Sequence, residues 1–516
     1  MFIVLSKFSC SGPRVAAIAA TALAAALVTA SPAGAEELVA EPTPADAEAA
    51  LDDAADALDG DAAAPDASVA MNELGASYEQ LDAADRRRAR SILARPTDGA
   101  ADQYNDGYPA GAPVASAESP HFCVFWVNAP GYADAPNLTD TNGDGIPDYV
   151  EQILGIAETS YSVEVAPGAM AWAPPKPDPT GCGADPSAHA DVYLKQLGNA
   201  GLFGYESPDP GQGRARSQYG YLVLDNDYAR SEYGYPEPTI PASVTFAHEF
   251  NHLLQQNYDT FQDIWMFEST AVWAEEQVYP DANDWLNYMP AFARRPESPI
   301  TDARASKGLK IYASAVWNHW LDRGAGYGPT VIRTAWEASD VAFPPDFAVA
   351  AYDRAIDRRK GPGFSREFVR FAAATAEWRT GAGSFPDAAS YPDVKRKGSL
   401  HRGGHRRVNL DHTGYALFDV KGGGSGKLRL AVDVEDGVRC GIALIGRDGD
   451  PLGGSVVRKT KYQGKGGTAT VSLAKPRRFD RITAALVNAD GRVRGFSDDD
   501  WVYSKDNVSF ELELRR

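Results

Sequence analysis

Positive charge is scarce in this chain, and so are histidine, cysteine and long apolar runs. Across 516 residues, 50 Lys and Arg stand against 70 Asp and Glu, a formal charge of -20. A general nucleic-acid binder needs a basic surface, so that class is excluded. The deficit is local: residues 36–85 hold fifteen acidic side chains and no Lys or Arg. Only one long apolar run exists, VAAIAATALAAALVTA at residues 15–30. Lys7 and Arg14 precede it and Ala33-Gly34-Ala35 follows, the pattern of a secretory signal, while an Ala-rich run this short is marginal for crossing a bilayer. Residues 1–35 are therefore expected to be a cleaved signal peptide, the protein to be secreted and extracellular, and the mature chain to lack a membrane span. Of the four cysteines, Cys10 would leave with the signal. Export permits disulfides, so Cys123 and Cys182 are the expected pair, with Cys440 in RCGIAL a buried thiol in a strand.

Apolar material is ample. A hydrophobic content of 44%, with 20 Phe, 10 Trp and 23 Tyr, can fill sizeable cores, and the length implies more than one domain. Residues 36–117 are rich in Ala, Asp and Pro and read as an acidic disordered linker or a propeptide. From His121 the texture changes. HFCVFWV, ADVYLKQL and GYLVLDNDY read as strands and PDYVEQILGIAETSYSVEV as a helix, with helical patterns dominating from Ala242 to Glu377. Past Tyr391 the chain turns Gly-rich and alternating: GYALFDV, GKLRLAVDV, GIALIGR, TATVSLA, RITAALVNA and NVSFELELR are period-two strands. The expected fold class is α+β, with a first domain over 118–392 and an all-β sandwich over 393–516.

TFAHEFNHLLQQ, residues 245–256, carries the chemistry. His248 and His252 are one helical turn apart on one face, so both can direct ring nitrogens at a single ion, while Glu249 leans over the open position as a general base. Phe246, Phe250 and Leu253 form the opposite, apolar stripe. In a chain this poor in histidine the pattern is informative, although two core histidines would also fit it. A catalytic zinc keeps three protein ligands and a water. The third is expected from WMFESTAVWAEEQV: Glu268 as ligand, and Glu275 as a partner for a histidine Nδ1. A solvated acidic face is the alternative for Glu268, Glu275 and Glu276.

HEFNH followed by FEST and AVWAEE resembles the gluzincin zinc peptidases, most of all the secreted bacterial group that resembles immune inhibitor A and hyicolysin. The resemblance covers roughly residues 118–340, and Gln255 takes the place of that group's glutamine. It implies a zincin-like domain and peptide-bond hydrolysis. It also implies a downstream Tyr or His that stabilises the oxyanion, here Tyr312, with His319 in reserve; packing in the core is the alternative for both. Two positions depart from the pattern: Ser269 stands where the group has glycine, and Val272 where thermolysin-like enzymes have an acidic residue.

A second metal site is expected at DTNGDGIPDYVE, residues 140–151, which matches a calcium loop at every ligand position. Asp140, Asn142 and Asp144 would give side chains, Ile146 its carbonyl, Asp148 a water-mediated contact and Glu151 both oxygens. LDNDY, residues 224–228, reads as a strand end with a turn, with a part in a metal site as the alternative. The sequence thus points to a secreted, monomeric zinc endopeptidase, braced by calcium and acting on a peptide or protein substrate. The alternative is a calcium-stabilised extracellular binding or adhesion protein on an inactive peptidase scaffold.

Overall fold

The alternation of apolar side chains in HFCVFWV runs on both faces of the strand it forms, and both faces are buried. In a computed structural model this strand, β2 (Phe122–Val127), lies in a five-stranded sheet with β1 (Val114–Glu118), β3 (Ala190–Lys195), β4 (Gly204–Pro208) and β5 (Gly220–Asp225). The order is β1-β2-β3-β5-β4. β2, β3 and β5 are mutually parallel, and β1 and β4 run antiparallel at the edges. The structure describes residues 42–60, 67–99, 107–168, 170–183, 185–212, 217–260, 262–303, 308–339, 348–380, 384–422, 426–492 and 507–515. The expected signal peptide lies outside these residues.

One face of the sheet presents Phe122, Val124, Val192, Leu194, Leu222 and Leu224 to α4 (Asp148–Glu164) and α6 (Thr239–Gln255). The other presents Val127, Tyr193, Tyr205, Tyr221 and Val223 to three helices from the acidic segment. These are α1 (Pro44–Leu58), α2 (Ala67–Ser77) and α3 (Asp85–Ile92). Strand residues two apart share a face, so a strand covered on both sides reads as a continuous apolar run.

The helical order of α1–α3 corrects the expectation of a disordered linker where that segment is described. Its acidic composition hides a helical stripe of small apolar residues, Ala47, Ala50, Leu51, Ala54 and Ala57, all buried. Alanine is the best helix former and needs little space, so this face docks without the aromatics that composition rules look for. Thr43 and Asp46 close the start of α1 with a reciprocal capping box.

Helices follow the sheet as expected: α5 (Arg230–Tyr233), α6, α7 (Ile264–Val278), α8 (Met289–Arg294), α9 (Leu309–Ala313), α10 (Ala315–His319), α11 (Thr330–Ala338), α12 (Ala348–Arg358) and α13 (Phe364–Thr375). The stretch from Tyr312 is not the single helix that its periodicity suggests. It breaks between α9 and α10 and continues as a π turn at Trp320–Gly324.

The C-terminal region is strand-rich. β6 (Arg396–His401), β8 (Tyr415–Lys421), β10 (Cys440–Asp448), β11 (Ser455–Gln463) and β13 (Arg481–Asn488) form one sheet. β7 (His405–Leu410), β9 (Leu428–Val434), β12 (Gly467–Leu473) and β14 (Val508–Arg515) form a second. Phe418, Ile442, Leu444, Leu430, Val432, Phe510 and Leu512, drawn from both sheets, share one buried core. Residues 42–516 together make one compact unit. Cys123 and Cys182 are disulfide-bonded, and Cys440 is a buried free thiol whose pKa burial pushes up to about 12. Among the described residues no helix is long and apolar enough to cross a membrane.

Candidate metal centre

Phe246 and Phe250 of α6 meet Phe122 of β2 edge-on, at 5.3 and 5.1 Å between ring centres. This apolar back fixes the helix rotation, so that His248 and His252 face α7 while Glu249 is turned to Ser68 of α2. The imidazoles of His248 and His252 stand 4.7 Å apart at 78°. Glu268, near the start of α7, reaches between them: one oxygen lies 3.3 Å from His248 Nε2 and the other 3.8 Å from His252 Nε2. Donor atoms of these three residues all fall within 4.8 Å of one another, close enough for one metal ion.

The rest of each imidazole is held so that Nδ1 carries a hydrogen and Nε2 is the atom turned toward Glu268. Glu275 Oε1 lies 2.7 Å from His248 Nδ1; a carboxylate accepts, so Nδ1 carries the hydrogen. His252 Nδ1 lies 2.9 Å from Gln255 Oε1. The sense of that bond is set further away. Gln255 Nε2 donates to the Phe267 carbonyl, which can only accept, and to Asn251 Oδ1, while Asn251 Nδ2 donates to Glu164 Oε2 of α4. Gln255 must therefore turn its oxygen to His252, and Nδ1–H donates. His252 Nε2 has no hydrogen-bond partner among the described residues. Two Nε2 atoms and a carboxylate, all buried, are a donor set that suits zinc, which would take the place of the proton on His248 Nε2.

Ionisation follows the same arrangement. Burial opposes charge on His248, but Glu268 and Glu275 outweigh it and raise its pKa well above the ordinary value. Burial and the neighbouring His248 hold His252 well below its ordinary value, and therefore neutral. Burial lifts Glu275 to about 7 against the pull of His248. Glu164, fully buried, is raised well above the carboxylate range by desolvation.

Glu275 and Glu276 are 5% and 3% exposed, which removes the solvated-face alternative. The departures in α7 also make sense locally. Val272 is packed in the core, and the carboxylate that reaches a histidine comes from Glu275, one turn further along. Ser269 is buried against Asn318, which donates to its carbonyl at 2.9 Å. Tyr312 stacks on His248 with ring centres 6.2 Å apart, and Tyr288 stacks on Tyr312 in turn. His319 does not join the centre: it packs against Trp285 at 4.6 Å, and neither of its ring nitrogens has a hydrogen-bond partner among the described residues.

Neither models of known protein families nor curated proteins give a match to this chain.

The loop at 140–151 is ordered by its own side chains. Asp140 accepts from the amides of Gly143 and Gly145, Asp144 from Ile146, and Asp148 from Thr141. Asn142 donates to both Asp144 Oδ2 and Glu151 Oε1, which gathers two carboxylates at one point. Gly143 and Gly145 both have positive φ, +75° and +96°, which lets the backbone curl around them. Glu151 sits in the first turn of α4, behind Pro147. At LDNDY, Asp225 ends β5 and accepts from four amides, those of Leu197, Gly198, Asp227 and Tyr228. That is the strand end and turn expected there; carboxylate oxygens of Asp225, Asp227 and Glu232 also lie within 4.8 Å of one another, with the last two exposed.

Sequence reasoning missed Ser68 of α2, whose hydroxyl donates to Glu249 Oε2 at 2.7 Å. It also missed Asn251 and Glu164. No motif marks Ser68 or Glu164, which reach the centre only because α2 and α4 flank α6; Asn251 lies on α6, at a position of HEFNH to which the motif gives no role.

Proposed function

We propose that this chain is a secreted zinc-dependent endopeptidase. The observation that carries the reading is the convergence of His248 Nε2, His252 Nε2 and Glu268 with Glu249 next to the first histidine. His248, His252 and Glu268 would hold the ion. When bound, zinc supplies Lewis acidity and lowers the pKa of a water to about 7.

The residues of the chain perform the rest. Glu249 takes a proton from the attacking water and returns it to the departing amine, the role of a general base that then acts as acid. Glu275 and Gln255 hold the two imidazoles in the tautomer that leaves Nε2 free to coordinate. Tyr312, stacked on His248, is the candidate donor to the developing oxyanion. The zincin-like character of the helical domain, calcium at 140–151 and a monomeric state belong to the same proposal. The rival reading, a binding protein on an inactive scaffold, would leave Glu249 without a task.

Metal analysis of the purified chain and a dye-labelled casein assay with and without chelator test the proposal. One zinc per chain and chelator-sensitive hydrolysis are expected. A chain that takes up no zinc overturns it.

A further inference from the structure

Helix α2 is seated between the edge strand β4 and the histidine helix α6. Ser68, Asn72 and Gly75 form an i, i+4, i+7 stripe, one face of a helix. Ser68 Oγ accepts from the amide of Glu206 on the edge strand β4 at 2.9 Å and donates to Glu249 at 2.7 Å. Asn72 Oδ1 accepts from Gln256, the residue that follows α6. Gly75 lies against Pro208 at the end of β4; a Cβ there would come within 2.7 Å of the proline ring. The stripe thus fills the gap between the outer strand of the sheet and the histidine helix. The adjoining face of α2 sinks Ala67, Ala70, Met71 and Leu74 into the core against the sheet.

The closure is tight. Glu249 is 4% exposed, and His252 and Glu268 are 0% exposed. Nor is the covering segment a loose tail. Arg95, just past α3, is buried in salt bridges to Asp178, Asp191 and Asp209, which come from three separate parts of the chain. A peptide carbonyl must come within contact distance of the general base to react. With α2 seated, the described residues leave Glu249 4% exposed, and the base is engaged by a hydroxyl that is also bonded to β4.

We propose that α2 is an autoinhibitory helix: Ser68 occupies the Glu249 carboxylate, the body of α2 blocks the channel between β4 and α6, and hydrolysis requires α2 to move out. The role given to Glu249 rests on the peptidase reading; the blocked access does not.

A reversible lock tests this on the full, metal-loaded chain. An added Cβ at position 75 would lie 3.6 Å from Pro208 Cβ, inside the spacing of a disulfide. In the Gly75→Cys/Pro208→Cys variant, oxidation should lower casein hydrolysis about tenfold and reduction should restore it, with wild type treated alike to control for Cys123–Cys182. Ser68→Ala should raise the rate, by on the order of tenfold for loss of a charge-assisted hydrogen bond. Binding of acetohydroxamate to the cobalt-loaded chain, followed by visible absorption, reports access independently of hydrolysis.

Hydroxamate access that follows the lock while neither form hydrolyses casein supports the helix and defeats the peptidase reading. Binding in both lock states, or in neither, overturns the helix. If the cysteine pair does not fold or bridge, Ser68→Ala decides: a faster variant supports the proposal, and an unchanged or slower one, in which Ser68 positions the base, overturns it.

Discussion

Gln255 Oε1 accepts a hydrogen bond from Nδ1 of His252, three residues back on the same helix, at 2.9 Å. The amide could be reversed only by breaking two further bonds, to Asn251 and to the Phe267 carbonyl. Gln255→Leu leaves His252 free to adopt the other tautomer and strands the Asn251 oxygen. Zinc affinity should fall roughly 10–100-fold, the usual cost of losing such a partner. Asn251→Leu should give a smaller loss of the same sign. Competition with a chromophoric chelator measures both; affinities equal to wild type would show that the relay holds nothing in place.

Glu249 is not one of the three residues whose donor atoms converge, so its role can be separated from theirs. Glu249→Gln should keep zinc near one equivalent and lose activity by about 10²–10⁴-fold. His248→Ala and His252→Ala should lose both. Retained hydrolysis in the glutamine variant would remove the general-base mechanism.

Glu268 lies on the Nε2 side of both histidines and Glu275 on the Nδ1 side of one. Glu268→Ala should therefore weaken zinc binding far more than Glu275→Ala, whose cost is about 10–100-fold. Zinc titration of the two variants decides it. The opposite order would exchange their roles.

The two halves of this centre were unequally legible. His248, Glu249 and His252 lie within five residues of one helix, and periodicity alone set the face of the two histidines. Glu268 was readable because a short connection returns α7 beside α6, and Glu275 because its spacing from Glu268 keeps it on that flank. Ser68 and Glu164 lie 181 and 87 residues from their partners, so no local pattern could pair them. In the fold, β2, β3 and β5 announced themselves by apolar runs, whereas β4, GYESP, carries a glycine, a glutamate and a proline. It is nonetheless an edge strand, where proline is tolerated. The acidic segment misled for a related reason: charge dominates its composition, while its buried face is mostly alanine.

The loop at 140–151 brings Asp144 and Glu151 to one Asn142 amide on an exposed surface. A calcium ion there would tie the loop to the first turn of α4, which packs on the sheet. Adding millimolar calcium to the dialysed chain should raise Tm by about 2–5 °C, in line with a site of extracellular strength. Asp144→Ala should abolish the rise without changing zinc content. An unchanged melting curve would leave an acidic turn held by its own hydrogen bonds.

Glu206 gives a pH dependence of definite sign. Its side chain is fully buried under α2, and burial lifts its pKa from 4.5 to about 8, against hydrogen bonds from Gln256 and Asn72. Between these values the unfolded chain has released the proton and the folded chain still holds it. The folded state binds more protons, so stability falls as pH rises from about 4.5 to about 8. Glu206→Gln keeps the hydrogen-bonding shape and cannot ionise. The drop in Tm between pH 5 and pH 8 should therefore be smaller in the variant than in wild type, with the two proteins closest at pH 5 and the variant ahead at pH 8. Parallel curves across that range would mean that the carboxyl is already ionised in the folded protein.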